Sequence, residues 1–241
     1  MASKEVWYKN KSFQLSYELV NPAQDEVLLV LHGWGSNKEI MKQAFGETLP
    51  QYKHIYLDMP GFGKSTNDMV LTTQDYGRIV QLFLDALDVK VTIAMGHSFG
   101  GKVSTLLHTP CLVLLSSAGV VTEKPWSIKL KIATVKFLKP LGMTFIRDMF
   151  KSKDVENMSH EMYETFKKVV DEDFEAHFAK SKSKTLCFWG KEDTATPLYT
   201  GEKIAGLIEN SEFYPLDGDH FFFLAHKDFI AQTIIKQCKE N

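Results

Sequence analysis

The stretch VTIAMGHSFGGK, residues 91–102, carries an apolar run into a serine enclosed by glycines. Gly96-His97-Ser98-Phe99-Gly100 fits G-x-S-x-G, and its flanks give that pattern meaning: a strand-like run over 91–95 and a helical segment over 99–108. A strand turning sharply into a helix holds the serine in a strained backbone conformation. A side chain two positions before or after it would collide with neighbouring chain. The stretch therefore presents Ser98 as a nucleophile, against the plainer reading of a glycine-rich turn.

On either side of this stretch, strand-like runs recur at 4–9, 13–20, 27–31, 54–57, 111–116, 185–189 and 212–215, which with 91–95 makes eight. Asn10 and Lys11 are expected to turn the first two into a hairpin. Helical patterns at 74–88, 99–108, 199–208 and 222–238 alternate with the later strands. Such alternation predicts the α/β class, with an eight-stranded, mostly parallel sheet covered by helices on both faces. Between the runs at 111–116 and 185–189 no strand pattern occurs, and Trp126, Leu130, Ala133, Phe137 and Leu141 recur at helical spacing amid lysines. That length exceeds a crossover connection and predicts a helical lid over 120–181, inserted into a core of 1–119 and 182–241. The competing reading is a helix pair packed on the sheet with a solvated lysine face.

A serine hydroxyl is a poor nucleophile near neutral pH, so a histidine must take its proton and an acid must orient that histidine. His220 stands in LDGDHFFF just after the last strand, where a loop can carry it back over the sheet edge; His226 is its weaker rival. TLCFWGKEDTATP places Asp193 after the seventh strand, with Glu192 as competitor, and LLSSAG after the sixth strand holds no carboxylate. Asp217 and Asp219 read as turn formers. His97 neighbours the nucleophile and is expected to point away. Leu31-His32-Gly33-Trp34-Gly35 follows the third strand, so the backbone N–H groups of Trp34 and Phe99 are the candidate oxyanion donors. Trp34, Phe99, Trp126, Phe137 and Phe221 are aromatic groups for an acyl pocket or simply for the core.

Composition narrows the alternatives. Over 241 residues the net charge is −2, which lacks the positive excess that nucleic-acid binding calls for. The three cysteines, Cys111, Cys187 and Cys238, form no CxxC pair and suggest neither a zinc knuckle nor a disulfide framework, with Cys111 and Cys187 read as core thiols. Gly61-Phe62-Gly63-Lys64-Ser65 invites a P-loop reading, but Asp58 stands where the first glycine is needed. No cofactor or metal is expected. With no apolar leader and no run of 18 uncharged apolar residues, a cytoplasmic location without a membrane span is expected.

LLVLHGWG, LDMPGFGKS, MGHSFGGK, WGKEDTATP and GDHFFF, in that order, resemble the successive signatures of the α/β-hydrolase superfamily, over roughly residues 27–226. The resemblance implies a triad in the chain order Ser98, Asp193, His220 and a lid after the sixth strand. DMPGFGKS is similar to single-domain members that include small carboxylesterases and meta-cleavage-product C–C hydrolases, which act on 2-hydroxy-6-oxo-dienoates. The latter pattern has asparagine before the serine and tryptophan after the histidine, where this chain has His97 and Phe221. The resemblance thus implies a serine hydrolase of a small-molecule ester, with C–C hydrolysis as the alternative and Arg147 placed to meet a substrate carboxylate. Its substrate contacts would be His32, Trp126, Arg147 and Phe221. Six basic residues against two acidic ones over 120–150 raise a third reading, an esterase docking an acidic acyl-carrier protein. A non-catalytic binding module on the same scaffold is the fourth; such relics usually lose a triad member, and none is missing.

Overall fold

The computed structural model describes residues 2–122 and 158–238. Eight strands form one sheet: β1 (Ala2–Tyr8), β2 (Lys11–Val20), β3 (Val27–Leu31), β4 (Lys53–Leu57), β5 (Val91–His97), β6 (Cys111–Leu115), β7 (Lys184–Gly190) and β8 (Ser211–Leu216). Their spatial order is β1-β2-β4-β3-β5-β6-β7-β8, and every pairing from β4 to β8 is parallel, whereas β2 runs antiparallel to both of its neighbours. All eight expected strands are present. The hairpin turn sits one residue earlier than expected, because Tyr8 pairs with Lys11 and the loop is Lys9-Asn10. Both loop residues have positive φ, 47° and 60°, the backbone that matches the twist of a two-residue hairpin.

Helices cover the two faces. The first carries α2 (Thr73–Ala86), α3 (Phe99–Thr105) and α6 (Leu198–Leu207); the second carries α1 (Lys38–Phe45) and α7 (Lys227–Cys238). Alternate residues of one strand feed the two layers: Val27, Leu29 and Leu31 face the first, Leu28 and Val30 the second. This double burial explains why β3 reads as an unbroken apolar run. α2 begins with a capping box, in which Thr72 Oγ1 accepts from Asp75 N–H while Asp75 accepts from Thr72 N–H. The expected helix over 222–238 is divided into a 3-10 turn, Phe222–Leu224, and α7.

Of the segment between β6 and β7, the described part holds α4 (His160–Val169) and α5 (Glu175–Phe178). Phe174 and Phe178 are fully buried in the same cluster as Phe99 and Val103, so the end of this segment joins the core packing. Buried Lys102 on α3 ties it down, donating to Val169 O at 2.7 Å and to Glu172 Oε2 at 2.9 Å.

The cysteines correct one expectation. Cys111, at the start of β6, is disulfide-bonded to Cys238, at the end of α7, across 127 positions with Cα atoms 5.9 Å apart. Only the folded topology brings the two together, so no local spacing announces the pair. Cys187 is a free, buried thiol, pushed up to about 12 by burial.

Candidate active site

Ser98 lies between β5 and α3 with φ 52° and ψ −114°, a conformation rare for a residue with a side chain. Its N–H donates to Leu115 O at 3.0 Å and its carbonyl accepts from Ala118 N–H at 3.1 Å, which pins the turn to β6. The flanking glycines are a packing requirement. A Cβ on Gly96 would stand 2.3 Å from Gly100 O, and one on Gly100 would stand 2.6 Å from His32 O.

Asp193 and His220 meet. β7 delivers Asp193 and β8 delivers the loop bearing His220, whose Nδ1 is 2.7 Å from Asp193 Oδ2. The two loops touch at Gly190, where a Cβ would come within 2.3 Å of Asp219 O. Asp193 is 4% exposed and saturated with donors: Oδ1 accepts from Ala195 N–H at 2.8 Å and Thr196 N–H at 2.9 Å, and Oδ2 from Thr196 Oγ1 at 2.8 Å. Burial opposes its ionisation, but His220 and the Thr196 amide outweigh that and hold the carboxyl at about 2. Because a carboxylate only accepts, the neutral His220 tautomer carries its hydrogen on Nδ1 and leaves Nε2 as a base.

The rival residues are occupied elsewhere. Glu192 is exposed and accepts from Gly218 N–H, Asp217 pairs with Lys191, and Asp219 Oδ1 accepts from Phe221 N–H at 2.8 Å. His226 Nε2 bonds to Asp217 O at 2.8 Å, in the turn before α7.

Gly33 brings the HGWG loop against the elbow, where a Cβ would lie 3.0 Å from His97 Nδ1 and 3.2 Å from Ser98 Cβ. Among the described residues nothing accepts from the backbone N–H of Trp34 or of Phe99, the first residue of α3. Both amides therefore stay available beside Ser98. Behind the loop lies a buried ion pair: Lys38 Nζ meets Asp58 Oδ2 at 2.7 Å and Lys38 N–H donates to Asp58 Oδ1 at 2.8 Å. The sequence reading assigned no role to this pair, nor to α1, although Asn37 before KEIMKQAF is an N-cap signal.

His32 is a correction. Expected to touch substrate, it is fully buried, with Nδ1 2.7 Å from Gly33 O and Nε2 accepting from Met59 N–H at 3.1 Å. Both ring nitrogens are spent on holding loops, and burial lowers its pKa to about 4. Phe221, by contrast, is 40% exposed, with its ring centroid 5.6 Å from that of His220. Trp126, Arg147 and Phe137 lie outside the described residues. The Trp34 ring packs on Phe62, Phe99 and Phe166 of α4, with centroids 4.8, 5.4 and 5.4 Å away. Next to it a cleft of about 400 Å³ is lined by Gly35, Gly61, Phe62, Met158 and Met162, with Ser65, Asn67 and Ser159. Among the described residues no group of three His, Cys, Asp or Glu side chains could hold a metal ion.

A family model described as alpha/beta hydrolase fold matches residues 26–108, from β3 through the elbow to the end of α3. The chain has the α/β-hydrolase fold. The chain is 26% identical over 230 residues to the uncharacterized hydrolase YugF of Bacillus subtilis, covering 81% of this chain and 83% of that one. It is 30% identical over 106 residues to the pimeloyl-[acyl-carrier protein] methyl ester esterase of Vibrio campbellii, a match of 41% of this chain and 40% of the other. To the 2-hydroxy-6-oxononadienedioate/2-hydroxy-6-oxononatrienedioate hydrolase of Escherichia coli O139:H28 it is 26% identical, over 88% of this chain and 86% of that one. A thermophilic esterase from Thermogutta terrifontis superposes with a TM-score of 0.74 at 16% identity, covering 100% and 99% of the two chains. Among the described residues no helix is long and apolar enough to cross a membrane.

Proposed function

We propose that this α/β hydrolase cleaves a carboxylic ester of a small molecule through Ser98, His220 and Asp193. The observation that carries the reading is the 2.7 Å contact between Asp193 and His220 Nδ1, with the His220 carbonyl 2.9 Å from the side chain of His97, the residue before the strained Ser98. Ser98 Oγ attacks the acyl carbon while its proton passes to His220 Nε2. The resulting oxyanion takes hydrogen bonds from the N–H groups of Trp34 and Phe99. His220 then gives the proton to the departing alkoxide, leaving an acyl-serine. Water, deprotonated by the same nitrogen, attacks that ester, and the proton returns to Ser98 as the acid leaves. Asp193 stays ionised throughout and stabilises the imidazolium. The Met- and Phe-lined cleft beside Trp34 suits an apolar acyl chain, and exposed Phe221 suits the leaving group.

Ser98→Ala tests the assignment. It should reduce hydrolysis of short p-nitrophenyl esters by at least about 10⁴-fold with the melting temperature preserved. Turnover retained in the variant overturns it.

A second reading, hydrolysis of a C–C bond in a 2-hydroxy-6-oxo-dienoate, is favoured by the length of the match to the Escherichia coli hydrolase. His97 and Phe221, which depart from that pattern, favour the ester. Rates on a series of acyl-chain lengths beside one dienoate separate the two. A carrier-bound acyl ester is the third substrate class, resting on the basic stretch over 120–150 and on the pimeloyl-[acyl-carrier protein] esterase match. Its mark is affinity for an acidic carrier that falls steeply with added salt.

A further inference from the structure

His97 was expected to point away from the chemistry, yet it is the side chain on which the His220 loop rests. It is 2% exposed, and its Nε2 lies 2.9 Å from His220 O. A carbonyl only accepts, so Nε2 carries the hydrogen and Nδ1 a lone pair. That lone pair has no partner among the described residues and faces Gly33. The His97 ring centroid lies 4.5 Å from that of His220, 5.4 Å from Phe221 and 4.9 Å from Phe223.

Building on the hydrolase reading above, we propose that His97 is a positioning residue: its Nε2–H holds the His220 peptide at a fixed place beside Ser98. The other bonds of this loop run to the loop itself, to the turn after β7 or to the residue before α7: Phe222 N–H to Asp219 O, Phe221 N–H to Asp219 Oδ1, Gly218 N–H to Glu192, and His226 Nε2 to Asp217 O. The His97 bond alone among these ties the backbone of His220 to β5, the strand that ends in the nucleophile. His220 is thereby fixed at two points, its ring by Asp193 from β7 and its carbonyl by His97 from β5, and two points set where Nε2 is aimed. A base displaced by about an ångström loses much of its rate, so this second point bears on turnover more than on binding. Burial and the neighbouring His220 also hold the His97 pKa at about 3, so the ring adds no charge beside the imidazolium that forms during the reaction.

The test compares wild type, Ser98→Ala, His97→Phe and His97→Gln in the full chain. Phenylalanine keeps the ring but removes the donor. The glutamine amide nitrogen is as many bonds from Cβ as the histidine Nε2 and restores it. Two readouts are taken: kcat and KM on a p-nitrophenyl ester, and the low-field ¹H resonance of the proton between His220 and Asp193, assigned by its loss in His220→Ala. His97→Phe should lower kcat about 10- to 100-fold with KM within about threefold, and broaden the low-field resonance, while His97→Gln recovers kcat to within about fivefold. A His97→Phe enzyme with wild-type kcat and an unchanged resonance overturns the proposal. So does a glutamine variant as impaired as the phenylalanine one, because ring packing would then be responsible. Wild type without ester turnover, or Ser98→Ala retaining it, defeats the hydrolase reading instead, and the resonance still decides the part played by His97.

Discussion

Asp193 shows how much one carboxylate is asked to do. Four groups converge on its two oxygens, and Thr196 supplies two of them, an amide to Oδ1 and its hydroxyl to Oδ2. Asp193→Asn would present an amide NH₂ where His220 and Thr196 both need an acceptor. The imidazole would then turn to the tautomer with its hydrogen on Nε2, which cannot take the Ser98 proton. A fall in kcat of about 10⁴-fold with KM changed little is expected, measured on a p-nitrophenyl ester; a fall below about tenfold would mean that Asp193 does not set the tautomer. At this scale the sequence was legible wherever a pattern carries its own geometry. Ser98 was recognisable because only glycines tolerate the approach of Gly96 to Gly100 and of Gly100 to β3. Thr196 was overlooked, although an Asp three residues before a Thr-Pro has the spacing of a turn that caps its own backbone. His32 was misjudged because a motif places a residue along the chain without giving its depth, and depth decides whether an imidazole meets substrate or two backbone groups.

The same division separates the elements that were foreseen from those that were not. β3, β5, β6 and β7 are buried on both faces, so unbroken apolar runs announced them. α1 escaped notice because it is short and follows a loop that reads as part of the HGWG motif. The connection from α4 to α5 was equally unforeseen, since its anchor, Lys102, belongs to a helix more than sixty positions earlier. That lysine is buried; its ammonium lies 5.5 Å from the centroid of the Phe99 ring and 5.7 Å from that of Phe174, and it meets the 20%-exposed carboxylate of Glu172. Burial lowers the Lys102 pKa while Glu172 raises it, and burial prevails. Lys102→Met keeps the apolar stem but leaves Val169 O without its donor and Glu172 without its cation. Breaking a fully buried pair costs about 3–5 kcal/mol; with Glu172 partly in water, about 2 kcal/mol of stability should be lost. Urea unfolding measures it, and a loss under about 0.5 kcal/mol would show that the pair gains no more from each other than from water.

For the whole molecule, buried histidines set the response to acid, with His54, also held below its ordinary value by burial, adding to the effect of the two placed at the site. His32 and His97 are locked neutral in the native state, with pKa values of about 4 and about 3, the main cause in each being burial. Unfolded, each takes up a proton near pH 6.5, so both contribute fully to stability above that pH and progressively less below it. Each histidine should remove about 1.4 kcal/mol per pH unit between pH 6.5 and its native value, and the two together about 2.7 kcal/mol per unit down to about pH 4. Asp193 acts lower on the scale. Its native value of about 2 lies beneath the ordinary carboxylate range, so its contribution, complete above about pH 4, fades as pH falls from 4 to 2. A domain of ordinary stability, about 5–15 kcal/mol, would therefore be substantially weakened while most carboxylates are still ionised. Urea midpoints taken from pH 8 to pH 4 should hold level above 6.5 and fall steadily below it. A stability flat between pH 6.5 and 5 would mean that these imidazoles accept protons in the folded chain, and that the bonds from His32 to Met59 and from His97 to His220 do not keep the tautomers the geometry requires.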